Sequence, residues 1–211
     1  MKKITMLSIC LVLIATILFA GINFLDEGIL KEKNGDFEGA LLLYDKAVKH
    51  DSKNAQYYSH RAWVKCMLGD YKGSIEDAGK AIAISPKEIE AYYSRGIAEY
   101  RVYRNEEAIK DMNKVLEINP KRASAYFYRG CAENGLSLNV EAVKDYGTAI
   151  DMGFNDAEVY KKRGRDYQWK GQYKDAMKDY NKAIKLDQSD WMTFHERGLV
   201  KMGLEDNNGA I

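Results

Sequence analysis

Residues 157–190 read AEVYKKRGRDYQWKGQYKDAMKDYNKAIKLDQSD, and residues 89–122 read IEAYYSRGIAEYRVYRNEEAIKDMNKVLEINPKR. Aligned without a gap, both stretches place an aromatic residue fourth, a glycine eighth and an alanine twentieth. In the first half of each stretch the core positions are three and four residues apart, which is the spacing of one face of an α-helix. Each stretch therefore predicts two short helices joined by a turn.

The same 34-residue period runs through the chain without an insertion or deletion. It predicts five full units, at 21–54, 55–88, 89–122, 123–156 and 157–190, and a partial sixth at 191–211. Small residues recur once in each half of a unit, so that two helices can cross closely beside the aromatic residue. Those of the first half are Gly28, Ala62, Gly96, Gly130, Gly164 and Gly198, and those of the second half are Ala40, Ser74, Ala108, Ala142, Ala176 and Ala210.

Polar residues and glycines predict where the helices begin and end. Short polar side chains that can accept from free N–H groups predict helix N-caps at Asp51, Ser85, Asn119 and Asp187. Ser85 is followed by Pro86 and Glu88, the pattern of a capping box with proline at the first helical position. Glycine in the left-handed conformation is predicted to end the first helix of a unit at Gly35, Gly69 and Gly171.

The motifs Tyr-x-x-Arg-Gly at Tyr92 to Gly96 and Asp-Tyr-Asn-Lys-Ala-Ile at Asp179 to Ile184 resemble those of the tetratricopeptide repeat (TPR) family. The resemblance covers residues 21–211. It implies an all-α fold, a right-handed α-solenoid of TPR helical hairpins, and the uncharged run of residues 4–25 predicts an apolar N-terminal helix before it. It also implies a role in protein–protein interaction.

Arginine recurs at the seventh place of a unit, and aspartate recurs sixteen residues later. The first unit lacks both and has Glu27 and Leu43 instead. We predict that each arginine pairs with the aspartate of its own unit, bidentate and partly buried. The pairs are Arg61–Asp77, Arg95–Asp111, Arg129–Asp145 and Arg163–Asp179.

Composition argues against several classes of function. The chain of 211 residues has 32 basic and 31 acidic side chains, without the surplus of positive charge that nucleic-acid binding needs. No phosphate-binding loop, nucleophile elbow, zinc spacing or cofactor motif is present, so we expect no enzyme activity and no cofactor or metal. Cys10, Cys66 and Cys131 are interpreted as free thiols.

The N-terminal segment is interpreted as a membrane-directing leader. Lys2 and Lys3 precede residues 4–25, which carry no charge and are long enough as a helix to cross a bilayer. The alternatives are an uncleaved anchor and a signal peptide at 1–20 removed after Ala20. Either places the N-terminus inside and predicts an extracytoplasmic domain, membrane-anchored or secreted into the periplasm or beyond.

The family resemblance implies that the first helices of successive units line a concave, ligand-binding face. A stripe at the fifth, ninth and twelfth places of each first helix, with two neighbours in the fifth unit, is the predicted partner-binding surface. It consists of Ser59, Trp63, Cys66, Tyr93, Ile97, Tyr100, Phe127, Cys131, Asn134, Lys161, Lys162, Arg165, Gln168 and Trp169. The stripe is aromatic in the middle and basic at its end. We therefore predict that it binds a peptide with apolar side chains and an acidic group. The alternative is that the aromatic residues pack between helices and the basic group is solvated.

Two functions follow from these patterns. The first is an exported or membrane-tethered adaptor that binds a protein or peptide on the concave face. The second is a structural component that self-assembles into a homo-oligomer through the open sixth unit, where Trp191 and Phe194 lack a hairpin partner.

Overall fold

A computed structural model of the chain describes the backbone of residues 23–209 and the side chains of residues 23–205. Helix α1 is described over residues 23–33. The further helices are α2 (Phe37–His50), α3 (Ala55–Met67), α4 (Tyr71–Ile84), α5 (Ile89–Arg101), α6 (Asn105–Ile118), α7 (Ala123–Gly135), α8 (Asn139–Asp151), α9 (Ala157–Trp169), α10 (Tyr173–Leu186) and α11 (Trp191–Gly209). The described range contains no strand, which confirms the all-α fold class.

The predicted leader at 1–20, Cys10 and Ala210 lie outside the described residues. Among the helices that the structure describes, none combines the length and apolar character needed to cross a membrane. The anchor and signal-peptide interpretations both stay predictions.

The described chain divides between Val102 and Tyr103 into two compact units. In the first, which holds α1 to α5, helix α3 packs against α2, α4 and α5. In the second, which holds α6 to α11, each helix packs on the next and α9 also contacts α11. Each unit is therefore a stack of helical hairpins, among them α3–α4, α7–α8 and α9–α10.

Glycine on the first helix of a hairpin faces a buried tyrosine on the second. A Cβ atom built on Gly130 would lie 2.8 Å from Cε1 of Tyr146, and one on Gly164 would lie 3.1 Å from Cε1 of Tyr180. Both tyrosines are fully buried, as is Ala142 beside Gly130. The prediction that small residues let the two helices cross closely is confirmed, but the ring that fills the space comes from the second helix and is not the predicted fourth residue of the unit.

Gly130→Ala is expected to lower the free energy of unfolding by about 1–2 kcal/mol, since overpacking outweighs the better helix propensity of alanine. The added methyl would meet the Tyr146 ring and, at 3.2 Å, the backbone oxygen of Ala142. Gly198→Ala is the matched control at the same place of the repeat, because its Cβ meets nothing within 4 Å. Urea unfolding of both variants checks this; a Gly130→Ala protein as stable as the parent contradicts it.

Left-handed residues end several first helices, as predicted. Gly35, Gly69 and Gly171 have φ angles of 76°, 84° and 71°. Tyr103 and Ser137 adopt the same conformation, with φ of 62° and 63°, although a side chain is disfavoured there. The turn geometry is thus kept even where the sequence lacks glycine.

The predicted N-caps at Asp51, Ser85, Asn119 and Asp187 are wrong. These residues instead follow the last turn of the preceding helix, as when the N–H of Asp51 donates to the Ala47 oxygen at 2.9 Å. The Asp51 side chain accepts from the Lys53 N–H within the turn, and Asn54 caps α3. Each next helix begins four residues later, so that Pro86 lies in a turn and the predicted capping box is not formed.

The predicted arginine–aspartate pairs are confirmed in three hairpins. Nε and Nη2 of the arginine donate to both carboxylate oxygens of a buried aspartate on the second helix. The two distances are both 2.7 Å for Arg61–Asp77, 2.5 and 2.8 Å for Arg129–Asp145, and 2.7 and 2.8 Å for Arg163–Asp179. Arg95 and Asp111 belong to different compact units, and their pairing stays a prediction.

The same arginine row makes a second contact that the sequence analysis did not predict. Nη1 donates backwards to the second helix of the preceding hairpin, sixteen residues earlier. The bonds are Arg61 to Asp45 at 2.8 Å, Arg129 to Asn113 at 2.7 Å and Arg197 to Asn181 at 3.0 Å. Arg61 and Arg129 therefore each join three helices, which ties one hairpin to the next.

Glycine replaces this backward acceptor at position 147. A Cβ atom on Gly147 would lie 3.7 Å from Nη1 of Arg163, so Gly147→Asn should restore the missing bond. We expect a gain of about 1 kcal/mol in unfolding free energy, from helix propensity and the hydrogen bond together. In an Arg163→Ala background the hydrogen-bond part of the gain should vanish. Equal gains in both backgrounds, measured by urea unfolding, would contradict this account.

Candidate functional site

In the first compact unit the predicted stripe is mostly covered. Ser59, Cys66, Tyr93 and Ile97 are buried, while Trp63 and Tyr100 are half-buried. The indole of Trp63 stacks on the ring of Tyr93 with centroids 6.0 Å apart and an angle of 25°. This packing between neighbouring first helices is the alternative that the sequence left open, and partner binding at these residues stays a prediction.

The aromatic part of the stripe in the second unit is covered as well. Phe127 is buried and stacks on Phe154, with ring centroids 5.0 Å apart. Cys131, four residues further along α7, is also buried. Cys66 and Cys131 are both free thiols, as predicted, and burial raises the pKa of the Cys66 thiol to about 11.

The lysines at the basic end of the stripe have acidic partners. Nζ of Lys161 contacts carboxylate oxygens of Glu158 and, at 3.0 Å, Asp190. Nζ of Lys162 lies 3.4 Å from the other oxygen of Glu158. The side-chain oxygen of Gln168 accepts from the Tyr180 hydroxyl at 2.8 Å. Lys161 and Gln168 thus connect α9 to its neighbours, and both lysines have their charge balanced by a carboxylate.

Arg165 and Trp169 are the two exposed members of the stripe. The Trp169 side chain is 82% exposed, which is unusual for tryptophan. Arg165 is exposed and forms no hydrogen bond or ion pair with any residue that the structure describes. They lie on one helix, α9, four residues apart and therefore on the same face.

Two clefts flank Arg165. The Asp166 cleft, with a volume of about 410 Å³, is lined by Asn134, Ser137, Asn139, Arg165, Asp166 and Trp169. The Tyr180 cleft, of about 260 Å³, is lined by Glu158, Lys161, Arg165, Tyr180, Met192 and Glu196. The structure thus brings Asn134, Lys161, Arg165 and Trp169 of the predicted surface together around these two clefts.

Asp166 was not predicted as a site residue. Its side chain is 3% exposed, and Oδ1 accepts from Nδ2 of Asn134 at 2.6 Å. Oδ2 is buried and accepts no hydrogen bond from the described residues. Burial raises the pKa of the carboxyl group to about 6, although Arg165 and Lys170 favour the ionised form.

The repeat register contained a signal for Asp166. It occupies the tenth place of its unit, where the other units have an apolar residue: Leu30, Val64, Ala98, Ala132 and Val200. The last four of these are fully buried. A carboxylate at a core position costs stability, and such residues are frequent at functional sites.

The side chains of this surface are groups that commonly bind peptides. Arg165 supplies guanidinium donors, Trp169 an aromatic face, and Asn134 and Asn139 supply amides. Within residues 23–205, no cluster of three or more His, Cys, Asp or Glu side chains is suited to a metal ion. The geometry fits reversible binding of a polypeptide segment.

Several solved structures have a similar fold, and two of them are described as TPR proteins. TTC0263, a thermophilic TPR protein of Thermus thermophilus, is 19% identical over 86% of this chain and 99% of its own, with a TM-score of 0.67. YrrB, described as a TPR protein with an unusual peptide-binding site, is 21% identical over 84% of this chain and 92% of its own, with a TM-score of 0.66. MamA is 25% identical over 78% of this chain and 96% of its own, with a TM-score of 0.65.

Comparison with curated proteins found no significant match. Three models of the tetratricopeptide repeat match the sequence, over residues 25–89, 89–122 and 157–190. The last two ranges are those assigned above to the third and fifth units. Since these matches together span more than half of the sequence and each compact unit is a stack of helical hairpins, the chain belongs to the tetratricopeptide repeat family.

Proposed function

We propose that this protein is a non-catalytic adaptor that binds a peptide or protein segment along α9, at the two clefts beside Arg165. The proposal rests on two exposed side chains of the second compact unit: Arg165 lines both clefts, and Trp169 lines the Asp166 cleft. TPR proteins generally mediate protein–protein interaction, and YrrB is described as having a peptide-binding site.

The chemistry of this surface indicates what the segment carries. Tryptophan and arginine are the residues that most often contribute large binding energies at interfaces. An apolar side chain of the partner would cover the Trp169 indole and remove it from water. An acidic side chain on the side of the Tyr180 cleft would pair with Arg165, whose planar guanidinium has five N–H donors and can hold a carboxylate by two of them.

Partner capture tests the proposal. The full chain is immobilised in mild detergent and exposed to an envelope extract of the native host, beside Arg165→Ala/Trp169→Ala. The matched control is Lys174→Ala/Lys178→Ala on α10, which changes two exposed side chains of the same unit. We expect a protein that the parent and the control retain and the Arg165/Trp169 variant loses. Equal retention by all three, with circular dichroism unchanged, would refute binding at α9.

Self-assembly is the second candidate, favoured by the surface of α11. Its large apolar side chains include Trp191, Met192, Phe194, Leu199 and Met202, which are 71, 51, 40, 39 and 56% exposed. Light scattering at increasing protein concentration tests this candidate, with Trp191→Glu/Met202→Glu as the variant. A mass that rises with concentration for the parent alone would support it, and a constant monomer mass would exclude it.

We also propose that the domain acts outside the cytoplasm, tethered or released by the leader. The support is the uncharged run at residues 4–25 behind Lys2 and Lys3. Protease added to intact spheroplasts should digest the repeats. Full protection until the membrane is lysed would contradict export.

A further inference from the structure

The Asp166 carboxylate has incomplete hydrogen bonding within the described residues. It stands at a core place of the repeat, and only one of its two oxygens is bonded within the described residues. A carboxylate can accept about four hydrogen bonds, and a buried oxygen without any is costly. Because Asp166 lines the Asp166 cleft, a ligand bound there can supply the missing donor.

Arg165 offers the complementary group on the same cleft. It lines the cleft beside Asp166 but makes no ion pair with it, so each keeps free hydrogen-bonding capacity. The residues that line the cleft therefore include one acceptor without a donor, the buried Oδ2 of Asp166, and one exposed set of donors, the Arg165 guanidinium. The Trp169 indole, almost fully exposed, provides an apolar wall next to both.

Charge decides between the ligand groups that can donate to Asp166. Arg165, Lys162 and Lys170 all act on this carboxyl group as positive charges, which disfavours an ammonium or guanidinium ligand. A ligand carboxylate cannot donate, and it would meet the buried negative charge of Asp166. A neutral primary carboxamide has two N–H donors and one acceptor oxygen, which match Asp166 and Arg165 together.

We propose that the Asp166 cleft recognises the carboxamide of an asparagine or glutamine side chain, with its NH₂ donating to Oδ2 of Asp166 and its oxygen accepting from Arg165. The methylene groups of that side chain lie against Trp169. This inference rests on the proposed function, since it names the residue type that the peptide places at α9. The cleft volume of about 410 Å³ accommodates such a side chain and its neighbours.

Fluorescence anisotropy with four labelled peptides tests the inference on the full chain in mild detergent. The probes are fluorescein-Ala-Leu-Xaa-Leu-Ala N-methylamides in which Xaa is Gln, Glu, Lys or Leu, so that only the Gln peptide carries a primary carboxamide. The Gln peptide is expected to bind at least 10-fold more tightly than the other three. Asp166→Asn should shift the preference from the Gln peptide to the Glu peptide. Its Oδ1 still accepts from Asn134, its NH₂ then faces the cleft, and the Glu peptide becomes the preferred ligand.

Asp175→Asn on α10, where the side chain is 47% exposed, is the matched control and should leave the order of the four peptides unchanged. Asp166→Ala restores an apolar residue at the tenth place; it should fold at least as stably as the parent and lose the preference for Gln. Tightest binding of the Lys peptide would overturn the inference in favour of a cation site. Equal binding of all four, or no Gln binding at millimolar concentration, would also overturn it.

The two proposals fail separately. If the Arg165/Trp169 variant loses its captured partner while the peptides show no preference for Gln, the adaptor function stands and the carboxamide inference is wrong. If capture is unaffected and the Gln peptide still binds in the Asp166 cleft, the clefts bind carboxamides but do not hold the partner. If both results are negative, both proposals fall.

Discussion

Arg129→Ala is expected to lower the free energy of unfolding by about 3 kcal/mol, because it leaves a buried charge without its partner. The Asp145 side chain is 6% exposed and receives both of its arginine bonds from this residue. The substitution also removes the bond from Nη1 to Asn113 and the stacking of the guanidinium over the Tyr126 ring, at 5.3 Å from the centroid. The loss therefore affects three helices of the second unit.

A double-mutant cycle separates the pair from these other contacts. With Asp145→Ala as the second change, urea unfolding should give a coupling energy of about 2 kcal/mol. The control is the exposed pair Lys178–Asp175, whose side chains are 77 and 47% exposed and whose coupling should stay below about 0.5 kcal/mol. Coupling as weak for Arg129–Asp145 as for the control would show that the arginine row is a solvated charge row.

Asp166→Asn is expected to stabilise the protein at pH 8 by on the order of 2 kcal/mol, because it removes a desolvated charge at a core position. Burial raises the pKa of the Asp166 carboxyl group from 3.8 to about 6, against the opposing effect of Arg165, Lys170 and Lys162 and the bond from Asn134. The folded protein thus holds this proton more tightly than the unfolded chain. The contribution of Asp166 to stability is full below pH 3.8 and is lost as the pH rises through about 6.

The gain from Asp166→Asn should therefore shrink towards zero at pH 4, where the parent carboxyl group is protonated in the folded protein. Glu133, whose pKa burial raises to about 7, titrates alike in both proteins, so the difference between them reports Asp166. Urea unfolding at pH 8, 6 and 4 measures this. A loss of stability of equal size at every pH would mean that the carboxylate is needed for packing and carries no desolvation cost.

The repeat period predicted the parts of the fold that depend on spacing alone. The small eighth residue of a unit lies close to the second helix, as Gly130 does to Ala142, although the Tyr146 ring beside it was not predicted. The arginine–aspartate pairs followed from the same spacing. The backward bonds to Asp45, Asn113 and Asn181 were not predicted, because they depend on how closely consecutive hairpins stack.

The helix ends and the binding stripe were less predictable, for a physical reason. Aspartate, serine and asparagine stabilise turns as well as helix N-caps, so Asp51 could not be assigned to the turn from its identity. On the stripe, Trp63 and Tyr93 have the composition of an interface but are used in packing. Sequence spacing places a residue on a helix face, whereas the distance to the neighbouring helix decides whether that face is covered.

Asp166 shows how a repeat can reveal a site that a motif search overlooks. Its charge is ordinary among 31 acidic residues, and no recognised motif contains it. Its place in the repeat is not ordinary, because every other unit has an apolar residue there. Comparing units with one another therefore finds a candidate site where comparison with motifs of other proteins does not.

Site-specific photo-crosslinking in the native host shows whether a partner binds at α9. A benzophenone amino acid replaces Trp169, which lies beside the Asp166 cleft, and in a parallel strain Lys178 on α10. We expect a discrete crosslinked partner from position 169 that is absent from position 178 and is lost when Arg165→Ala is added. Crosslinks of equal yield from both positions, or from position 178 alone, would contradict it.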